Sequence, residues 1–156
     1  MPLPPNCQTT STDFDGVKMF YGNAYEHFTS LIEYLALLNN MLGGRSHEIF
    51  LSLTLEQYRK LDKPGRFGPF SSNKTFMAIC GEADNQIRNA SHHGSFVLNR
   101  ETQIVQYAAG KGGAGVMQHM PYANYLERCV RIFLQVMTLL RVELLMSLHL
   151  RVRPPL

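Results

Sequence analysis

Charge is scarce in this chain. Of 156 residues only 17% are Asp, Glu, Lys or Arg, against about 25% in an average soluble domain, while 45% are hydrophobic. A large share of the surface is therefore uncharged or engaged with another chain, so self-association is expected from composition alone. The net charge of +3 is too small to name a partner. Cysteine is sparse too. Cys7, Cys80 and Cys129 are odd in number, widely spaced and without a Cys-x-x-Cys pair, which excludes a disulfide framework and a thiolate zinc site and fits a reducing cytoplasm. A signal peptide's basic-then-apolar pattern is missing: Met1 to Thr12 holds Pro2, Pro4 and Pro5 and reads as part of a flexible segment over 1–13, ahead of a helical domain over 14–151. There is no unbroken apolar run. Ile132 to Leu150 is interrupted by Gln135, Arg141, Glu143 and His149, and a bilayer centre penalises each charge by about 2.5 to 3.5 kcal/mol, so no membrane span is expected.

What is present is mostly helical periodicity. Thr12-Asp13-Phe14-Asp15 has capping-box spacing, and the apolar positions then step by threes and fours from Val17 through Tyr21, Tyr25, Phe28, Ile32 and Leu35 to Leu42, with Gly43-Gly44 as the stop. Ile49, Leu51, Leu53 and Leu55 alternate like a strand, but Thr54-Leu55-Glu56-Gln57 is another capping box, which favours a short helix. Pro64, Gly65, Gly68 and Pro69 predict a loop. A third helix is expected from the caps at Ser71-Ser72-Asn73 to His92-His93-Gly94, then a hairpin over Phe96-Val97-Leu98 and Gln103 to Tyr107, and a connector over Gly110 to Gly115. The last helix runs from Pro121 to Leu150 with a wide apolar face on Leu126, Cys129, Val130, Phe133, Val136, Met137, Leu140 and Leu144, broad enough for several neighbours, some on another subunit. The expected fold is all-α: a bundle of about four helices with a small β-hairpin insert before the long last helix.

Chemistry concentrates in Asp84-Asn85-Gln86-Ile87-Arg88-Asn89-Ala90-Ser91-His92-His93-Gly94. Arg88, the polar Asn89 directly after it, and His93 after four intervening residues, all near the end of a predicted helix, resemble the signature of the HEPN (higher eukaryotes and prokaryotes nucleotide-binding) family. The resemblance implies a helical domain, metal-independent cleavage of RNA, and a homodimer in which two copies of the motif build one composite site. It also suggests a toxin, defence or RNA-processing role with an antitoxin or other regulatory partner protein. The residue types suit that chemistry without the name. RNA carries its own nucleophile in the 2′-hydroxyl, so cleavage needs a proton carrier near neutrality, which is histidine, and a cation for the charged phosphorane, which arginine supplies as a bidentate fork. Catalytic roles therefore fall to Arg88 and His93; the resemblance adds Asn89 to the catalytic set, where it could cap, hydrogen-bond across the dimer or touch substrate, and His92 is a neighbour on the substrate side.

Blander roles exist for each. Arg88 lies at i,i+4 from Asp84 and could form an ordinary surface ion pair, worth a few tenths of a kcal/mol. His93 could simply complement a helix dipole, and His92 shares the face of Arg88 more closely than His93, which an ideal helix rotates by roughly 140°. A second signal is basic. Arg59, Lys60, Lys63, Arg66 and Lys74 stand against Asp62 alone, with Phe67, Phe70 and Phe76 interleaved, which suits a phosphate backbone and stacked bases, or else a solvated turn. Arg59, Lys60, Lys63 and Arg66 are accordingly candidate RNA contacts. Gly110 to Gly115 lacks the Gly-Lys-Ser/Thr ending of a phosphate loop, and His47, Glu48 and His119 have no partners at metal-ligand spacing, so neither a cofactor nor a metal is expected. The competing function is a non-catalytic helical module that dimerises, regulates a partner protein or holds nucleic acid.

Overall fold

The computed structural model describes residues 13–50, 52–110 and 115–149. Thr12 and the rest of the proline-rich start, the centre of the Gly110 to Gly115 connector, and the expected helix end at Leu150 lie outside the described residues. The elements run α1 Phe14–Leu31, α2 Glu33–Leu42, β1 Ile49–Phe50, β2 Leu53–Thr54, α3 Leu55–Arg59, a 3₁₀ helix Gly65–Phe70, α4 Lys74–Ile79, α5 Asn85–His92, β3 Val97–Asn99, β4 Ile104–Ala108, β5 Met117–Pro121 and α6 Tyr122–His149. Helices dominate, but two antiparallel sheets correct the all-α expectation to a mixed α/β fold: β1 pairs with β2, and β4 lies between β3 and β5. Among the described residues no helix is long and apolar enough to cross a membrane.

Two compact units emerge, one from the residues up to Tyr25 with Glu82–Phe133, the other from Glu26–Gly81 with the residues from Leu134 onward. The first is built on aromatic packing. Phe96 stacks on Phe14 at 5.9 Å between ring centroids and meets Tyr107 at 5.3 Å and Tyr125 at 4.7 Å, and Tyr21 approaches Tyr125 at 5.9 Å. Such pairs contribute about 0.5 to 1.5 kcal/mol each beyond the area they bury. The predicted hairpin forms, with Leu98 opposite Val105, but a third strand joins it because Met117–Pro121 extends along β4 in the register Val105 to Met120. Nothing in the composition of Met117-Gln118-His119-Met120 favours a strand; pairing with β4 overrides propensity. Pro121 thus ends β5 instead of opening α6, and the amide of Tyr122 donates to the Gln103 carbonyl at 2.8 Å.

In the second unit, Phe28, Ile32, Leu35, Phe50, Tyr58, Phe70, Leu139 and Met146 form the core. The two readings of residues 49 to 57 are both realised in turn: a two-residue hairpin, then α3 opened by a reciprocal Thr54–Gln57 capping box. The Pro64 to Pro69 loop is a 3₁₀ helix, a form that tolerates Pro69 in so short a run. The predicted helix from Ser71 to His92 is two. Asn73 caps α4, the chain leaves it at Cys80 and Gly81, and Asp84 caps α5 with a carboxylate accepting from the amides of Gln86 (2.8 Å) and Ile87 (3.2 Å).

Candidate active site on α5

Helix α5 sorts its residues cleanly. Ile87, Ala90 and Ser91 are buried, with the Ser91 hydroxyl donating to the Ile87 carbonyl at 2.8 Å, while Arg88, Asn89, His92 and His93 lie on the other side. Those four form two adjacent rows, Arg88 with His92 and Asn89 with His93, because residues four apart stack on a helix surface. His93 still belongs to its row: although it is the C-cap at φ −97, ψ 13, its amide donates to the Asn89 carbonyl at 2.9 Å. One side-chain bond joins the rows. Arg88 Nη1 donates to Asn89 Oδ1 at 2.8 Å, which draws the guanidinium towards the row that ends in His93.

The two histidines differ in environment. His93 is exposed. His92 is half-buried and seats its imidazole over the backbone of Gly22 in α1, so closely that a Cβ at position 22 would stand 2.7 Å from Nε2 and 3.1 Å from Cε1. A glycine inside a helix costs about 1 kcal/mol relative to alanine, and here the missing side chain makes room for a neighbouring ring.

Beneath the start of α5 lies an ion-pair network absent from the sequence reading. Arg128 of α6 reaches in to donate from Nε to Glu82 Oε1 (2.6 Å) and from Nη2 to Asp84 Oδ2 (2.8 Å). The Tyr21 hydroxyl lies 2.9 Å from the Glu82 carbonyl and 3.2 Å from Glu82 Oε1, positioned to donate to either. Burial pushes the Glu82 carboxyl above its ordinary range, against the pull of Arg128 and Tyr21. Burial also opposes the charge on Arg128, but the bond and charge of Glu82 outweigh it and hold the guanidinium above its usual value. Asp84 is thus a cap and a partner of Arg128 at once. At the other side of the helix, Gln86 Oε1 accepts from the Gly110 amide at 2.6 Å.

The basic segment belongs to the second unit. Arg59 donates twice to Glu33 (3.0 and 2.8 Å), Lys60 pairs with Glu56 at 2.6 Å, and Lys63 pairs with Glu26. Arg66 places its guanidinium on the backbone carbonyls of Thr29 (3.2 Å) and Arg59 (3.0 Å). Two carboxylates distant in sequence, Glu33 and Glu26, and one a helical turn away, Glu56, therefore answer three of the cations. Of the interleaved rings Phe70 is fully buried, and it packs against the half-buried Phe67 and Phe76. Among the described residues no group of three or more His, Cys, Asp or Glu is placed to hold a metal ion.

Signals for the missed residues were present. A lone glycine inside an amphipathic helix marks a close approach, as Gly22 does, and Gly81 followed by Asp84 marks a helix stop and a new cap. Comparison with family models, curated proteins and solved structures finds no match for this chain.

Proposed function

We propose that this protein is a metal-independent endoribonuclease of the HEPN kind, acting through Arg88, Asn89 and His93. The observation that supports the reading is that Arg88 and Asn89, half-buried and joined by a side-chain bond, lie on rows adjacent to each other at one helix end with the exposed imidazole of His93. His93 takes the proton from a ribose 2′-hydroxyl as O2′ attacks the adjacent phosphorus, Arg88 stabilises the charge that builds on the non-bridging oxygens, and O5′ leaves with a proton. The products are a 2′,3′-cyclic phosphate and a 5′-hydroxyl. A second copy would return the departing proton with its own His93. A toxin, defence or RNA-processing setting, with an antitoxin or regulatory protein as a further partner, follows from the same resemblance, and the sparse, widely spaced cysteines suit a reducing cytoplasm.

An exposed apolar stripe supports self-association. Leu134, Met137, Leu140, Leu144, Leu145 and Leu148 of α6 are 38% to 66% exposed. At 100° per residue they fall within an arc of roughly 140°, and they extend for about 21 Å along the helix. Side chains of this size and exposure offer roughly 600 Å² per copy, which meets the lower bound of about 1,200 Å² for a stable pair. The 137, 140, 144 spacing suits a facing helix rather than a strand or a flat surface.

The test is to incubate the protein with RNA and sequence-matched DNA in excess chelator. RNA alone should be cut, with cyclic phosphate ends, and Arg88→Ala and His93→Ala should each lower the rate by about 10² to 10⁴, the usual worth of a proton-transfer group or a charge-stabilising donor. Cleavage of DNA, or full activity in both variants, overturns the reading. RNA binding without turnover by the unmodified chain would instead mark the non-catalytic module.

A further inference from the structure

The seat of His92 on Gly22 assigns a task to two residues that the chemistry above leaves idle. We infer that His92 and Gly22 form a positioning contact: the imidazole, lodged where position 22 has no side chain, fixes the last turn of α5 against α1 and so sets the direction in which His93 leaves the helix. The inference rests on the reading of Arg88, Asn89 and His93 as the reactive group. Three facts support it. The approach is close on one whole edge of the ring, with Nε2, Cε1 and Cδ2 at 2.7, 3.1 and 3.2 Å from the site of a Cβ. Gly22 is buried and lies inside α1, where its backbone needs no positive φ, so space for the ring accounts for the glycine and conformation does not. Beyond His92 the chain turns at once, through His93 as C-cap and Gly94 at φ +74, so the last anchored side chain of α5 before the turn governs the exit of His93.

The substitution Gly22→Ala isolates this contact. Alanine is the better helix former, and what it meets is the far end of a side chain that can swing away, so α1 should persist while His92 loses its seat. Expected is a fall in kcat of about tenfold with KM for RNA within twofold, since Arg88 and the phosphate contact stay in place, in line with the sensitivity of catalysis to displacements of order 1 Å. In NMR spectra, the His93 ring signals should move while those of β4 stay fixed. His92→Ala, which empties the seat from the other side, should move the same signals, and Gly22→Ala combined with His92→Ala should be no worse than His92→Ala alone. Unchanged His93 signals and kcat in both single variants, or a double variant whose loss is the product of the two, overturns the inference. Should the unmodified protein leave RNA intact, the proposed function fails on its own, and the NMR comparison still decides whether Gly22 and His92 direct His93.

Discussion

Replacing Arg128 with methionine is the sharpest probe of what supports the site. The side chain carries two ionic hydrogen bonds, 2.6 Å to Glu82 and 2.8 Å to Asp84, and Glu82 is only 6% exposed. Methionine keeps much of the volume and removes the charge, so the main loss is an uncompensated carboxylate in a buried place, about 3 to 5 kcal/mol. The Asp84 half is more exposed, 27% on each side, and adds less than about 1 kcal/mol. Against a total stability of about 5 to 15 kcal/mol, such a loss lowers Tm by roughly 10 °C in a chain of this size. The pH dependence gives the reasoning its edge. Burial already holds the Glu82 carboxyl above its unfolded value, and removing Arg128 raises it further. A carboxyl raised in the folded state contributes stability below its unfolded pKa and loses it as pH climbs through the folded one. The deficit of Arg128→Met relative to the unmodified chain, measured by urea unfolding, should therefore shrink from pH 7.5 to pH 5, and Glu82→Gln added to it should restore most of the loss at pH 7.5. A deficit under about 1 kcal/mol, or one equal at both pH values, refutes the claim that Glu82 is a buried charge held by Arg128.

Leu140→Glu on the exposed face of α6 should convert a dimer into a monomer in light scattering after gel filtration, with far-UV circular dichroism unchanged, because the position is 42% exposed and leaves the core intact; a monomeric unmodified chain, or a dimeric variant, would remove α6 as the dimer face. Cys80 and Cys129 are buried and free, and burial pushes both thiols up to about 12. Peptide mapping after iodoacetamide at pH 8 should find both unlabelled until the chain is denatured. Since the unfolded chain releases these protons near 9 while the folded chain keeps them, stability should fall as pH rises from 9 towards 12.

Local signals carried the elements whose stability is local. The Thr54–Gln57 capping box, the Asn73 cap and the glycine exit at Gly43-Gly44 were legible because each is settled within a few residues, and Gly44 indeed sits at φ +65. The α5 cap at Asp84 was hidden inside a continuous 3.6-residue stripe from Phe76 to Ala90, since periodicity continues smoothly across a break that a single turn can absorb. Strand β5 was hidden for the opposite reason: it is held by ten residues' worth of pairing with β4, not by its own composition. The face of α6 was misjudged by one step of the helix. Of the expected face only Cys129 is buried, whereas Val130, Phe133, Met137, Leu140 and Leu144 are exposed; Tyr122, Tyr125, Ile132, Leu139 and Met146, centred about 100° away and also largely apolar, are buried. Only knowledge of what packs against a helix separates them.

The basic segment teaches the converse about charge. Counting along the chain, Arg59 to Lys74 carries an excess of four positive charges, and such a count predicts a polyanion site only if no carboxylate from elsewhere arrives. Glu26 and Glu33 do arrive, and Glu56 answers Lys60 from one helical turn away. Arg59 and Glu33 in particular are not available to be exchanged for a phosphate at little cost, because Glu33 is 7% exposed and its desolvation is offset by the bidentate guanidinium. Lys60 differs, since it and Glu56 are both more than 70% exposed and such a pair holds by well under 1 kcal/mol. An RNA backbone could therefore recruit Lys60 by counterion exchange without unfolding anything, whereas recruiting Arg59 would strip a buried carboxylate of its partner. Within the segment, Lys60 is open to such exchange at little cost, whereas Arg59 is held to the fold by Glu33.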